Sequence, residues 1–171
     1  MKKNIPLILG LIIFIFNTYS QENFTNKRTK RERKKVNSIL NGFHKAASNA
    51  DEEQYFGYLA DNAVFLGTDA GERWTKKEFR HYAKSRFSKG QGWTYIPQKR
   101  HIMFSQDFLH AWFDEKLFNR KYGELRGSGV LQKINGIWKI VHYNMVFTIP
   151  NQVTKEVVRI IKENRAKQNN E

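Results

Sequence analysis

The sequence predicts an α+β domain with helices packed on one face of a curved antiparallel sheet. Two observations carry this. Apolar residues recur at helical spacing up to about residue 90, and at the strand period of two thereafter. The Asn135-Gly136 pair sits between two aromatic and β-branched runs, the strongest short-range hairpin signal available. Size adds a bound: 171 residues, 40% of them hydrophobic, suit one core and not two.

The elements follow in order. Lys2 and Lys3 precede an apolar stretch from Ile5 to Phe16, and Thr18-Tyr19-Ser20 supplies small residues for a cleavage site. Residues 1–20 therefore read as a signal peptide cut between Ser20 and Gln21, which makes the protein exported, periplasmic or secreted. The apolar run reaches about 18 Å as a helix, short of the ~30 Å hydrocarbon layer. Residues 21–35 hold the run Lys27-Arg28-Thr29-Lys30-Arg31-Glu32-Arg33-Lys34-Lys35 and read as a basic, flexible lead-in. Val36, Ile39, Leu40, Phe43 and Ala47 then form one stripe of an amphipathic helix.

Asp51-Glu52-Glu53 opens a second, short helix, where acid at the N-terminus suits the helix dipole. Residues 62–66 read as a strand and 67–71 as a loop. Thr75-Lys76-Lys77-Glu78 has the capping-box order and opens a third helix with Phe79, Tyr82, Ala83 and Phe87 on one side. Four strands follow, over residues 93–105, 108–119, 124–134 and 137–149. A last stripe, Val153, Val157, Ile160 and Ile161, predicts a C-terminal helix within residues 152–171. The domain proper is residues 36–151.

Composition excludes several chemistries. No cysteine means no disulfide, thiolate metal site, iron–sulfur cluster or cysteine nucleophile. The five histidines form no metal-binding spacing, and neither a dinucleotide fingerprint nor a phosphate-cradling glycine loop is present. No cofactor or metal is expected. The formal net charge is +14, but half of it lies in residues 1–38. Nucleic acid is therefore disfavoured as a partner, and weak contact of the basic tails with an anionic surface is expected instead.

Four segments carry a family resemblance: residues 65–74 (Phe-Leu-Gly-Thr-Asp-Ala-Gly-Glu-Arg-Trp), Ala111-Trp112-Phe113-Asp114-Glu115, Arg126-Gly127-Ser128-Gly129-Val130-Leu131, and residues 138–144 (Trp-Lys-Ile-Val-His-Tyr-Asn). Ile149-Pro150-Asn151 closes the set. In this order they resemble the SnoaL-like family of the nuclear transport factor 2-like superfamily, over residues 36–151. The resemblance implies a cone: a curved sheet wrapped around three helices, here followed by a C-terminal helix. It implies little about activity, because the superfamily includes isomerases, cyclases, dehydratases, ligand binders and docking modules. Its enzymes place an aspartate or histidine base in the cone.

Strand alternation nominates the chemistry. Ala111, Phe113, Glu115 and Leu117 share one face, which puts a carboxylate in an apolar cavity if that face lines the cone. Its pKa should then rise, as a general base near neutral pH requires. The alternative is an ion pair with Arg126 or Lys139. A one-residue slip exchanges Glu115 for Asp114, so both are candidate bases. Tyr143 and His101 are candidate polarisers. Asp69, Glu72 and Trp74 are candidate rim contacts to a ligand, joined by Trp112, Arg126 and Asn144. Gly127 and Gly129 are expected to mark a bend in the sheet.

The leading expectation is an exported cone that binds a small apolar or aromatic molecule, with no specific activity assigned. The alternatives are a cofactor-free isomerase, cyclase or dehydratase with a carboxylate base, and a dimeric interaction module. A homodimer through the outer sheet face is expected in either case.

Overall fold

The computed structural model describes residues 6–168, with side chains from residue 24 onward. Residues 1–5 of the expected signal peptide thus lie outside the described residues, and residues 6–20 form the backbone of the first helix. The order is α1 (Pro6–Ser48), α2 (Glu52–Gly57), β1 (Leu59–Leu66), β2 (Arg73–Thr75), α3 (Lys76–Phe87), β3 (Ile96–Phe104), β4 (His110–Asn119), β5 (Gly123–Ile134), β6 (Ile137–Phe147) and α4 (Thr154–Gln168). A 3-10 turn, Asn151–Val153, precedes α4.

The local signals act as expected at their sites. The Asp51 carboxylate caps α2 by accepting the Gln54 N–H at 3.0 Å. Thr75 and Glu78 form a reciprocal capping box at the start of α3. Asn135 and Gly136 both take positive φ, 49° and 82°, and turn β5 tightly into β6.

One sheet holds all six strands, in the order β2-β1-β6-β5-β4-β3. It is mixed rather than wholly antiparallel, because β1 runs parallel to β6. A parallel neighbour needs a crossover connection, and the whole chain from β2 to β5 supplies it. The three-residue strand β2, which pairs with Val64–Leu66, was not expected; it is too short to show alternation. The register shifts in the later strands lie between Pro97 and Lys99 and between Val130 and Leu131, not at Gly127 or Gly129.

Helix α1 lies on the inner face of the sheet. Its stripe of Val36, Leu40, Phe43 and Ala47 is buried with the inward residues Phe113, Leu117, Leu131 and Ile140. Each fully buried side chain of this size is worth ~2 kcal/mol of transfer free energy. The same face of α1 carries Glu32 one turn before Val36, and Glu32 is 2% exposed. Its Oε2 accepts Lys133 Nζ at 2.7 Å and Trp138 Nε1 at 2.9 Å. Arg28 donates to the Asp107 carbonyl at 2.9 Å and lies over the Phe108 ring. From residue 24 onward the basic segment, expected as a flexible lead-in, is helical and meets the sheet side through Glu32 and Arg28.

Helix α4 forms where its stripe predicts, yet buries none of its residues. Among the described helices, none is long and apolar enough to cross a membrane.

Candidate functional site

The polar centre of the fold is Glu115. Alternation along β4 points it inward between Phe113 and Leu117, and it is 1% exposed. Three side chains converge on it. Its Oε1 accepts from Tyr143 Oη at 2.8 Å and from His44 Nε2 at 2.7 Å. A carboxylate only accepts, so His44 carries a proton on Nε2. Its Oε2 accepts Arg100 Nε at 2.7 Å and lies 2.6 Å from Arg100 Nη2. Arg100 Nη1 turns outward and donates to the side-chain oxygens of Asn37 and Asn41, each at 2.9 Å.

The elements explain the convergence. His44 lies one turn beyond Leu40 on the buried face of α1. Arg100 is the direct cross-strand neighbour of Glu115 in the β3–β4 hairpin. Tyr143, paired with Gly129 in β5, reaches diagonally over Gly127, the cross-strand partner of Glu115. A Cβ at Gly127 would meet Tyr143 Oη at 2.3 Å, so the glycine gives the pair its space. Gly129 serves in the same way: a Cβ there would meet the His142 carbonyl oxygen at 2.2 Å and Phe113 at 2.9 Å. These glycines act as spacers for their neighbours.

This setting reverses the expected titration. Burial pushes the Glu115 carboxyl up, but hydrogen bonding and charge from His44, the Arg100 guanidinium and the Tyr143 hydroxyl together hold it below the usual carboxylate range. Burial and the neighbouring Glu115 charge push Tyr143 well above the usual tyrosine range. Glu115 is thus an ionised, saturated acceptor. Its ion-pair partner is Arg100, not Arg126 or Lys139: Arg126 is exposed on the outer face, and Lys139 donates to the Gly57 carbonyl.

The remaining candidates fall in two other places. Asp114 and His101 face each other on the outer side of the sheet, with Nδ1 to Oδ1 at 3.1 Å and both about half exposed. Neither enters the cone. Asn144 lies in the same cross-strand row, and Trp112 in the next, 44% exposed. Asp69 and Glu72 close their loop on themselves: the Glu72 carboxylate accepts the Asp69 N–H at 3.1 Å, and the Asp69 carboxylate accepts the Gly71 N–H at 2.8 Å.

Trp74 belongs to an unbroken run of stacked rings. Tyr143 stacks on Phe65 at 5.4 Å between centroids, Phe65 on Phe79 at 4.1 Å, Phe79 on Trp74 at 5.3 Å, and Trp74 on Tyr82 at 4.9 Å. The run starts fully buried beside Glu115 and ends at Tyr82, which is 48% exposed. Tyr95 lies near this end; burial and the nearby Tyr122, Glu72 and Tyr82 raise its hydroxyl pKa.

His44, Arg100, Asn37 and Asn41 were not singled out from sequence. The position of His44 beside the α1 stripe and hairpin pairing around residues 105–109 are the signals that point to the first two. No cluster of three or more potential metal ligands occurs among the described residues.

A curved sheet closed over helices around a buried polar cluster defines the class: a nuclear transport factor 2-like cone. Solved structures agree. A nuclear transport factor 2-like protein of unknown function from Pseudomonas putida KT2440 superposes with a TM-score of 0.61 at 9% identity, over 72% of this chain and 92% of its own. A function-unknown protein from Mycobacterium tuberculosis gives 0.62 at 12% identity, over 75% and 79%. A nuclear transport factor 2-like protein from Cytophaga hutchinsonii ATCC 33406 gives 0.56 at 18%, over 68% and 98%. Likeness at these identities speaks to fold alone. The chain belongs to the SnoaL-like domain family, whose model matches residues 36–150. No curated protein matches it.

Proposed function

We propose that the protein binds a small, ring-bearing, largely apolar molecule at the aromatic end of the cone, with the Glu115 cluster as its frame. The observation that carries this reading is the ring run that leaves the core through part-buried Trp74 and ends at half-exposed Tyr82. A flat ligand extends such a stack, each ring pair contributing ~1 kcal/mol beyond the area it buries. Glu72 and Tyr95 offer the few polar contacts that fix orientation in an apolar site.

Thermal shift of the full chain against sterols, lipids and aromatic metabolites tests this, with Trp74→Ala as the site variant. A ligand that stabilises the wild type and not Trp74→Ala supports it. If nothing on the panel stabilises the folded wild type, the reading fails.

A carboxylate-base enzyme is the second reading, favoured by Tyr143 touching both Glu115 and the ring run. Against it, Glu115 is a weak base with every oxygen occupied. Glu115→Gln separates the two: an enzyme loses turnover while ligand affinity stays.

Export with cleavage between Ser20 and Gln21 belongs to the same proposal. Among the described side chains, which start at residue 24, the docked ones include Arg28, and cleavage at Ser20 keeps those contacts. The mass of the exported chain tests it. Half-exposed Trp112 and Met103, adjacent on the outer face, support the homodimer reading, which sedimentation of Trp112→Glu tests.

A further inference from the structure

The solvent side of α1 holds an open cleft of about 500 Å³, lined by Lys34, Asn37, Ser38, Asn41, Lys45 and Tyr58. No acidic residue lines it. Its hydrogen-bonding sense is set from beneath. Arg100 has only donors to offer, and its Nη1 takes the side-chain oxygen of both Asn37 and Asn41. Both amide groups must therefore turn Nδ2 away from Arg100, and neither Nδ2 has a partner among the described residues.

The two asparagines are one helical turn apart, about 6 Å along the axis. Lys34 and Lys45 stand one turn beyond them on either side. Gly42 keeps the wall low between them: a Cβ there would meet Tyr58 Oη at 2.1 Å. The cleft thus presents two oriented amide donors and two hydroxyls between two ammonium groups, with every amide acceptor consumed below.

We propose that this cleft binds the phosphate group of a phosphate-bearing ligand, either a free metabolite or a lipid headgroup. Outward amide donors and hydroxyls, flanked by positive charge with no carboxylate among them, match a group that is anionic and offers several acceptor oxygens at neutral pH. The inference is independent of the aromatic end of the cone.

The test uses the full chain, titrated at constant ionic strength with inorganic phosphate by calorimetry and with phosphatidylglycerol vesicles by co-sedimentation. Asn41→Asp keeps an oxygen for Arg100 but turns the outward donor into a repelling acceptor. Ser38→Glu places a carboxylate in the cleft without touching Arg100, so one variant survives if the other disturbs the fold. Lys77→Glu, on exposed α3 surface, removes positive charge elsewhere.

Each cleft variant should weaken binding at least about tenfold, with Lys77→Glu nearly silent. Loss of inorganic phosphate binding identifies a free phosphate ligand; loss confined to vesicles identifies a headgroup. Absence of both bindings overturns the proposal. So does binding that the cleft variants leave intact, or that Lys77→Glu weakens equally.

Discussion

Replacing Gly127 with alanine places one methyl group against the most constrained polar pair in the molecule. The new Cβ would lie 2.3 Å from Tyr143 Oη and 3.0 Å from Glu115 Cγ and Oε1. Ordinary contact lies near ~3.5 Å, so the hydroxyl must retreat by about 1 Å. That breaks its 2.8 Å bond to Glu115. The ring has nowhere easy to go, because Phe43, Phe65 and Phe113 surround it at 5.3, 5.4 and 5.8 Å. Overpacking of about 1–3 kcal/mol and a lost charged hydrogen bond of about 1.5–3 kcal/mol give a destabilisation of about 2.5–6 kcal/mol. Urea unfolding followed by tryptophan fluorescence should show the midpoint fall by about 2 M. Tyr143→Phe removes only the hydroxyl and costs about 1.5–3 kcal/mol. In that background the worst clash, with the Tyr143 oxygen, is gone and only the 3.0 Å approach to Glu115 remains, so the double variant should be milder than the sum by at least about 1 kcal/mol. The packing argument is refuted if Gly127→Ala unfolds within ~0.5 kcal/mol of the wild type, or costs the same in both backgrounds.

Acid should act through the two buried carboxylates. Burial pushes Glu32 up, but hydrogen bonds from Lys133, Trp138 and Lys35 bring it down from 4.5 to about 2, and Glu115 is also lowered. A lowered folded-state pKa stabilises above the unfolded value, and that stability drains away as pH falls through the folded one. Urea midpoints measured downward from neutral pH should drop between about 4.5 and about 2, and Glu32→Gln should flatten that drop. Thr75→Ala removes the α3 cap and should cost about 1 kcal/mol, read from the same urea curves. Backbone amides of residues 28–35 should exchange slowly with deuterium; exchange at random-coil rates would contradict docking of the basic helix.

How much was legible follows from which interactions are local. The strands of β4 to β6 were readable to within about three residues because burial alternates along them and Asn135-Gly136 fixes one turn chemically. The inward parity of Glu115 came from the same alternation. Its protonation did not, because two of the groups that set it, His44 and Tyr143, come from α1 and β6, far away in sequence. The apolar neighbours visible along β4 argued for a raised pKa, and the donors invisible from β4 reversed it. Glu32 was overlooked for a related reason. Within a run of seven basic groups the composition reads as solvated, yet Glu32, Val36 and Leu40 keep a spacing of four residues, which puts an acid on the buried stripe.

The arrangement of these contacts bears on where the cone can admit a ligand. Helix α1 is tied to the sheet by polar contacts along its length: Glu32 to Lys133 and Trp138, Asn37 and Asn41 to Arg100, and His44 to Glu115. Breaking such a buried pair costs about 3–5 kcal/mol, so this side opens only at a large fraction of total stability. The β2–α3 side is held differently. Strand β2 pairs over three residues, and Trp74 is held by stacked rings that slide or separate at ~1 kcal/mol per pair. For the binding proposed above, the entry motion of least cost is therefore at Trp74 and Tyr82, where the rings already meet solvent. In such a motion the buried ion pairs would hold the opposite wall still.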